Sequence, residues 1–247
     1  MKLKNNNIRK GGYPEVNWSP LLKSYIDFCN YKTIIEIGVQ YGETTKDFCE
    51  VARKIGGKVY GYDFFAPIRY YGPKYPITPP QKEIERLIGE HYFLDGTCKL
   101  TKVDTHSDEF SDILKSDTDG CIDFAFIDAC HSYDGVKNDF EKVYPLLSPE
   151  GTIVFHDTFS HAGPRKFMLD LYKDNDGTFD LVNLPFGGGP GCEEYSRIGL
   201  AFLVKRSYLT SEGGVINNGH DDHNPINLRS LYNEEVEWYS DQLKDNK

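Results

Sequence analysis

Short apolar runs alternate with amphipathic segments along most of the chain. The clearest case lies at residues 33–37, where Ile34, Ile35 and Ile37 make a run of strand length that only Glu36 interrupts. Two glycines then mark a turn, and beyond it apolar residues recur at steps of three and four, which is the spacing of a helix with one buried face. The pattern predicts a strand, a glycine turn and a helix.

The same alternation continues to residue 173 and predicts an α/β fold, with a mostly parallel sheet and helices on both faces. Seven strands are predicted, at residues 33–37, 58–63, 100–107, 121–128, 152–157, 178–184 and 199–205. Helices are predicted at residues 19–29, 43–55, 81–90, 107–114, 135–147 and 163–173. Turn-forming residues at 149–151 separate the last part of this pattern from the strand that follows them.

Three regions follow from these elements. Residues 18–206 carry the alternation and are predicted to form one domain, whereas residues 1–17 are basic and Asn-rich and are predicted to be a flexible arm. Residues 207–247 are polar and end in an apolar helical stripe, which predicts a loop and a helix that docks on the domain or on a second subunit of a homo-oligomer. Residues 64–80 form an irregular loop rich in Pro, Gly and aromatic residues, either a lid or substrate wall or a surface loop.

Charge and composition limit the functions that such a domain can have. The net charge of -10 argues against a nucleic-acid or acidic-membrane partner, since phosphates are bound by excess Lys and Arg. The sequence has no apolar run of about 20 residues for a membrane span, and its N-terminus lacks the apolar region of a secretory signal. The six cysteines include no CxxC pair, which indicates free thiols in a reducing compartment. We therefore expect a cytoplasmic protein that acts on a small molecule.

The glycine turn has the features of a cofactor site. Gly38 and Gly42 allow the backbone to approach a polar ligand, and the helix that follows offers N–H groups at its first turn. Glu36, at the strand end, can accept a hydroxyl or ammonium group of the same ligand. Asp63 ends the second predicted strand, where a carboxylate can bind both hydroxyls of a ribose. A turn-forming role is the alternative for Asp63, and the preceding glycine turn favours ribose.

Polar residues also follow three later strands. Asp104 follows the third strand, Asp128 and His131 follow the fourth, and His156 and Asp157 end the fifth. Because the carboxyl ends of parallel strands meet at one edge of a sheet, we expect these residues to face the same ligand. His131 is a candidate general base, since imidazole titrates near neutral pH. The alternative is a structural role, in which the ring only forms hydrogen bonds with the backbone at the start of a helix.

Three stretches together resemble the class I S-adenosylmethionine-dependent methyltransferases. They are Glu36-Ile-Gly38-Val-Gln-Tyr-Gly42-Glu-Thr-Thr, Gly61-Tyr-Asp63, and Phe126-Ile-Asp128-Ala-Cys-His131-Ser-Tyr-Asp-Gly-Val, which continues through Pro145-Leu-Leu-Ser-Pro-Glu-Gly-Thr-Ile-Val-Phe-His156-Asp157. The last stretch is similar to the small-molecule O-methyltransferase group that includes macrolide sugar methyltransferases and cephalosporin-hydroxylase-like proteins. The resemblance implies a Rossmann-like, seven-stranded fold, S-adenosylmethionine as cofactor, and methyl transfer to a hydroxyl of a small polar molecule such as a sugar or glycoside.

The resemblance also implies roles for the residues of the turn. Gly38 and Gly42 match positions where the backbone approaches the methionine part of the cofactor. Glu36 matches the acid of this motif, and Asp63 matches the ligand of the ribose hydroxyls. Asp104 lies near the adenine-binding position.

For the catalytic step, the resemblance implies a base and a candidate metal. His131 matches the family's candidate general base. From the chemistry alone, either Asp128 or Asp134 can orient such a base. In metal-dependent relatives an acid at the place of Asp128 binds Mg²⁺, and two acids stand at the places of His156 and Asp157. Here the first of that pair is a histidine, whereas magnesium prefers oxygen ligands. Asp128 is thus a candidate residue of the cofactor pocket and also a candidate metal ligand. Mg²⁺ is a candidate second cofactor.

Other functions fit parts of the sequence. A nicotinamide-dependent oxidoreductase is disfavoured because Gln40 occupies the middle position of the Gly-x-Gly-x-x-Gly motif. A relative that binds the cofactor but hydroxylates its substrate, or transfers nothing, stays open because a fold does not determine chemistry. A nucleic-acid methyltransferase is disfavoured by the acidic charge balance.

Overall fold

The computed structural model describes residues 18–66, 78–185 and 198–206. Its strands are β1 (Thr33–Ile37), β2 (Lys58–Asp63), β3 (Cys98–Lys102), β4 (Ile122–Ile127), β5 (Leu147–His156), β6 (Phe179–Leu184) and β7 (Leu200–Lys205). Its α-helices are α1 (Ser19–Cys29), α2 (Glu43–Ile55), α3 (Gln81–Ile88), α4 (Glu90–Leu94), α5 (Asp108–Asp117), α6 (Tyr133–Val143) and α7 (Ala162–Asp174). The predicted arm at 1–17, the tail at 207–247 and most of the loop at 64–80 lie outside the described residues.

The strands form one sheet in the order β3-β2-β1-β4-β5-β7-β6. Strands β1 to β5 are parallel to their neighbours, and β7 is antiparallel to both β5 and β6. The prediction of a seven-stranded, mostly parallel sheet is confirmed. The chain winds outward from β1 in both directions, so the crevice beyond the carboxyl ends of β1 and β4 is the switch point where open α/β sheets bind ligands.

Two strands differ from their predicted bounds. β3 begins at Cys98, two residues before its predicted start, and after Lys102 it runs into a loop, as expected for this stretch. β5 begins at Leu147 and passes through Glu150, which has a positive φ of 62°, next to a register shift against β4. The turn-forming residues at 149–151 therefore make a bulge inside the strand. The five-residue helix α4 is too short to show a helical period in the sequence.

Helices cover both faces of the sheet, as predicted. Ile34 and Phe126 belong to the buried cluster shared with α1, α2 and α3, and Ile35 belongs to the cluster shared with α5, α6 and α7. Neighbouring residues of β1 thus enter opposite cores, because side chains alternate across a strand. Within the described ranges, no helix is long and apolar enough to cross a membrane.

The carboxyl end of β1 is bonded to both neighbouring strands. The N–H of Gly38 donates to the Tyr62 carbonyl, and the N–H of Asp128 donates to the Ile37 carbonyl, each at 2.9 Å. Gly38 has a φ of +95°, and a Cβ there would lie 2.2 Å from the carbonyl oxygen of Asp128. Only glycine fits this position. The loop after β1 is therefore packed directly against the loop after β4.

Glu36 is a buried acid within β1. Its side chain is 1% exposed and accepts a hydrogen bond from the Thr45 hydroxyl of α2. Burial raises the pKa of Glu36 well above its ordinary value, the Thr45 bond opposes the rise, and the charges of Asp128 and Asp63 add to it. The carboxyl group therefore retains its proton at pH values where an exposed glutamate is ionised.

Gly38→Ala should destabilise the protein more than a glycine replacement in open space. The left-handed conformation costs about 1–2 kcal/mol for alanine, and the clash with Asp128 adds roughly 1–3 kcal/mol. Gly56→Ala is the matched control, because Gly56 also has a positive φ, +73°, but no atom lies within 4 Å of a Cβ there. Urea denaturation measures both variants. Equal losses in the free energy of unfolding would contradict the contact with Asp128.

Glu36→Gln should change how stability depends on pH. Above the ordinary glutamate pKa of about 4.3, the folded protein holds a proton that the unfolded chain has released. Wild-type stability should therefore fall as pH rises from there towards the raised pKa of Glu36, and the glutamine variant should lack this loss. Urea denaturation across that range measures the difference, with Glu109→Gln on the exposed face of α5 as the control. A pH-independent difference would mean that Glu36 is ionised in the folded protein.

Candidate functional site

Asp63, at the end of β2, binds the loop that follows β1. Its carboxylate accepts hydrogen bonds from the N–H of Gln40 at 2.9 Å and from the N–H of Phe65 at 2.8 Å. Because a carboxylate has about four lone-pair positions, Asp63 keeps the capacity to accept further hydrogen bonds from hydroxyl groups. The residue thus holds the glycine turn and presents a carboxylate at the ligand-binding edge of the sheet.

The turn is compact as well as glycine-rich. Gly42 has a φ of +77°, and a Cβ there would lie 2.7 Å from the side chain of Ile88 in α3. Packing against α3 therefore requires glycine at this position, apart from any approach of a ligand. Helix α2 begins at Glu43, so its N-terminus, the positive end of the helix dipole, lies at the carboxyl edge of the sheet.

Asp104 is exposed and shapes the loop after β3. Its carboxylate accepts a hydrogen bond from the N–H of His106 at 2.9 Å. Helix α6 holds the same loop, because the Asn138 amide and the Lys142 ammonium group donate to the Thr105 carbonyl at 3.0 and 2.7 Å. This loop lies at the same edge of the sheet as Asp63, one strand further out.

Two aspartates and three histidines meet where β4 and β5 end, and we call Asp128, His131, His156, Asp157 and His161 the histidine–aspartate cluster. The His131 Nε2 atom lies 3.3 Å from Asp128 Oδ1 and 3.2 Å from Asp157 Oδ2. The His156 Nδ1 atom lies 3.0 Å from Asp128 Oδ1 and 3.5 Å from Asp157 Oδ2. The His161 Nδ1 atom lies 3.3 Å from Asp157 Oδ2. The structure thus brings together four residues that the sequence singled out and adds His161.

Local structure explains how the chain builds this cluster. After β4, Ser132 caps α6 by accepting the N–H of Gly135 at 3.0 Å, which fixes the loop that carries His131. The start of α7 packs on that loop at Gly163, where a Cβ would lie 2.3 Å from the His131 carbonyl. Asp157 has a positive φ of 58°, which turns the chain sharply after β5.

The charges of the cluster stabilise one another. Burial disfavours a charged His156, but Asp128 and Asp157 outweigh this effect and raise the pKa of His156 to about 10. Burial also acts against ionised Asp128, yet the neighbouring His156 and His131 lower the pKa of Asp128. For the same reasons the pKa of Asp157 is lowered and that of His131 is raised, whereas burial lowers the pKa of His161. At neutral pH the cluster therefore holds two carboxylates around a protonated His156.

Aromatic rings enclose His156. The ring centroids of Trp18 and Phe126 lie 4.4 and 5.8 Å from that of His156, which is 7% exposed. Both His156 Nε2 and Trp18 Nε1 are buried without a hydrogen-bond partner in the described part of the chain. The sequence pattern gives no signal for Trp18, which lies far from β5 along the chain. His161 was not predicted either, although its four-residue spacing from Asp157 is a signal for it.

The donor set of the cluster does not suit magnesium. Three of its five side chains offer an imidazole nitrogen, whereas Mg²⁺ binds oxygen ligands in a regular octahedron and keeps several waters. The expected ligands Asp128, His156 and Asp157 do lie together, with an imidazole nitrogen of His156 in the place of an oxygen ligand.

Comparison with solved structures supports the fold. An O-methyltransferase from Bacillus cereus, in complex with SAH, has a TM-score of 0.57 and 15% identity, and the match covers 81% of this chain and 84% of that one. The O-methyltransferase TomG from Streptomyces achromogenes, involved in tomaymycin synthesis and in complex with SAM, has a TM-score of 0.52 and 14% identity, with 76% and 79% covered.

Sequence comparison gives the family. An uncharacterised protein of Sinorhizobium fredii is 25% identical over 127 residues, a match that covers 51% of this chain but spans only 13% of that protein's length. A family model described as a methyltransferase domain matches residues 35–158, about half of the chain, from β1 through the end of β5. The chain therefore belongs to this family of methyltransferase domains and has the class I fold of enzymes that depend on S-adenosylmethionine.

Proposed function

We propose that the protein transfers the methyl group of S-adenosylmethionine to a hydroxyl of a small polar molecule such as a sugar or glycoside. One observation carries this proposal: His131 contacts two carboxylates at the end of β4, directly beside the glycine turn that the family resemblance assigns to the cofactor. Two structures that share the fold are named O-methyltransferases, which supports oxygen as the methylated atom.

In this proposal, the cofactor lies across the ends of β1, β2 and β3. Asp63 binds the ribose hydroxyls with the lone pairs that its two backbone bonds leave free. Gly38 and Gly42 bring the turn and the first N–H groups of α2 to the carboxylate of the methionine part. Asp104 lies at the rim beside the adenine.

The two remaining acids of the proposed pocket act mainly through their neighbours. Glu36 is buried, its pKa is raised, and it accepts the Thr45 hydroxyl, so it positions α2 through Thr45. The Asp128 carbonyl packs on Gly38, and its carboxylate bonds to the histidines of the cluster. Asp128 thus links the cofactor turn to the proposed base.

The chain must supply a base, because a sugar or aliphatic hydroxyl has a high pKa. S-adenosylmethionine, when bound, supplies an electrophilic methyl group on a sulfonium. His131 directs Nε2 to Asp128 and Asp157, so its Nε2–H donates to the carboxylates and Nδ1 accepts the proton of the acceptor hydroxyl. The carboxylates orient the ring and stabilise the imidazolium that forms, as in a histidine–aspartate pair.

The character of the cluster also supports a polar acceptor. Carboxylates and imidazoles offer hydrogen-bond acceptors and donors to several hydroxyls at once. The net charge of -10 gives no support for a nucleic acid or an anionic membrane as the substrate. A neutral, hydroxyl-rich small molecule can form these hydrogen bonds and carries no negative charge for the acidic protein to repel.

Asp63→Asn should weaken binding of S-adenosylhomocysteine by about 10–100-fold, because hydrogen bonds to a charged group contribute about 1.5–3 kcal/mol each. Isothermal titration calorimetry measures the affinity, with Asp108→Asn on the exposed start of α5 as the control. The loss of affinity caused by Asp63→Asn should be smaller for an analogue without the ribose 2′-hydroxyl. If Asp63 had only a structural role, the substitution would weaken the binding of both ligands equally. Unchanged affinity for S-adenosylhomocysteine would refute the ribose assignment.

His131→Gln should leave the affinity for S-adenosylhomocysteine within about twofold and lower kcat by roughly 10²–10⁴-fold, the usual contribution of a general base. The acceptor for this assay comes from a screen of sugars and glycosides that detects release of S-adenosylhomocysteine. His91→Gln, at an exposed histidine of α4, is the matched control. Full turnover by His131→Gln would rule out its role as the base.

A further inference from the structure

The side chains of the histidine–aspartate cluster differ in how far they are exposed to solvent, and we distinguish an inner and an outer half. The inner half is the bonded pair of Asp128 and His156, and Trp18 packs against the His156 ring. The outer half consists of His131, Asp157 and His161. His131 and His161, at 31% and 46%, are the most exposed side chains of the cluster, whereas Asp128 is 26% and Asp157 11% exposed.

We propose that His131, Asp157 and His161 form a binding site for a divalent transition-metal cation of the Zn²⁺, Co²⁺ or Fe²⁺ class. Their ligand atoms are His131 Nε2, Asp157 Oδ2 and His161 Nδ1, and all three lie within 4.8 Å of one another. Two imidazoles and one carboxylate, with the remaining positions open, are a donor set typical of these cations and not of Mg²⁺.

The distances agree with ligands of one small cation. Ligand atoms bound at about 2.0–2.1 Å lie roughly 3.0–3.4 Å apart in octahedral or tetrahedral coordination. Asp157 Oδ2 lies 3.2 Å from His131 Nε2 and 3.3 Å from His161 Nδ1. Asp157 Oδ2 therefore lies at the separation of two ligands of one cation from both imidazole nitrogens.

Neighbouring groups orient these side chains. The Ser160 hydroxyl donates to the Asp157 Oδ1 atom at 2.5 Å, which leaves Oδ2 for the cation, and it also lies 3.1 Å from His161 Nδ1. The His131 and His161 rings lie close together, with their centroids 4.1 Å apart. Outer partners that hold a ligating carboxylate in place are a regular feature of metal sites.

The consequence for catalysis rests on the proposed function. A cation on His131 Nε2 leaves the ring proton on Nδ1, which is the nitrogen proposed to accept the hydroxyl proton. The cation site and the proposed base therefore share the ring of His131.

Cobalt(II) tests the site directly, because its visible absorption reports nitrogen ligands without any reaction. The full chain with His220→Gln and His223→Gln is the parent protein, so that the two histidines of the tail contribute nothing. We expect this parent to bind one Co²⁺ with visible bands, Zn²⁺ to displace it, and Mg²⁺ to have no effect. His161→Gln in this parent should weaken Co²⁺ binding at least about tenfold, whereas His106→Gln, at an exposed histidine outside the cluster, should not.

A second variant tests the position of the ligand. His161→Cys should retain Co²⁺ and add a sulfur-to-cobalt charge-transfer band, because a thiolate then replaces the imidazole. Urea denaturation of each variant verifies that it is folded. No Co²⁺ binding by the parent, or binding that His161→Gln leaves unchanged, would overturn the site. These measurements involve no acceptor and no methyl transfer, so failure of the metal site leaves the proposed reaction standing, and failure of the reaction leaves the site standing.

Discussion

The contact between Gly38 and the carbonyl of Asp128 joins the two halves of the site. β1 and β4 are parallel neighbours with Ile37 opposite Ile127, so the residues that follow them meet directly. Without a side chain, Gly38 can lie against the Asp128 carbonyl and still start the turn that Asp63 holds. The turn and the histidine–aspartate cluster are therefore fixed relative to each other. Methyl transfer needs this, because an in-line displacement depends on the placement of both reactants.

Two acids near this contact, the buried Glu36 and the partly exposed Asp128, have opposite electrostatics. Glu36 has a hydroxyl as its partner, so burial dominates and raises its pKa. Asp128 has two histidines as partners, so their charges and hydrogen bonds dominate and lower its pKa. The partners of the two acids thus shift their pKa values in opposite directions. An acid with a raised pKa lies under the turn, and acids with lowered pKa values lie in the cluster, at one edge of the sheet.

The sequence was sufficient for the centre of the sheet because β1, β4 and the later part of β5 are short apolar runs. It also indicated that the residues at the ends of β4 and β5 would lie together, since the ends of parallel neighbours meet. Residues 149–151 predict a turn but form a bulge at Glu150, because residues that tolerate a positive φ favour turns and bulges alike. Trp18 could not be predicted, because its contact with His156 depends on how α1 packs on the sheet. The pKa values of the cluster likewise depend on distances between side chains, which the spacing of residues along the sequence does not reveal.

The most direct test of the central claim is a calorimetric titration of the wild-type protein with S-adenosylhomocysteine, with NAD as the control ligand. The account predicts saturable binding of S-adenosylhomocysteine at one site and no heat from NAD, because Gln40 replaces the middle glycine of the dinucleotide motif. Saturable binding of NAD without binding of S-adenosylhomocysteine would contradict the assignment of the glycine turn and of every role built on it.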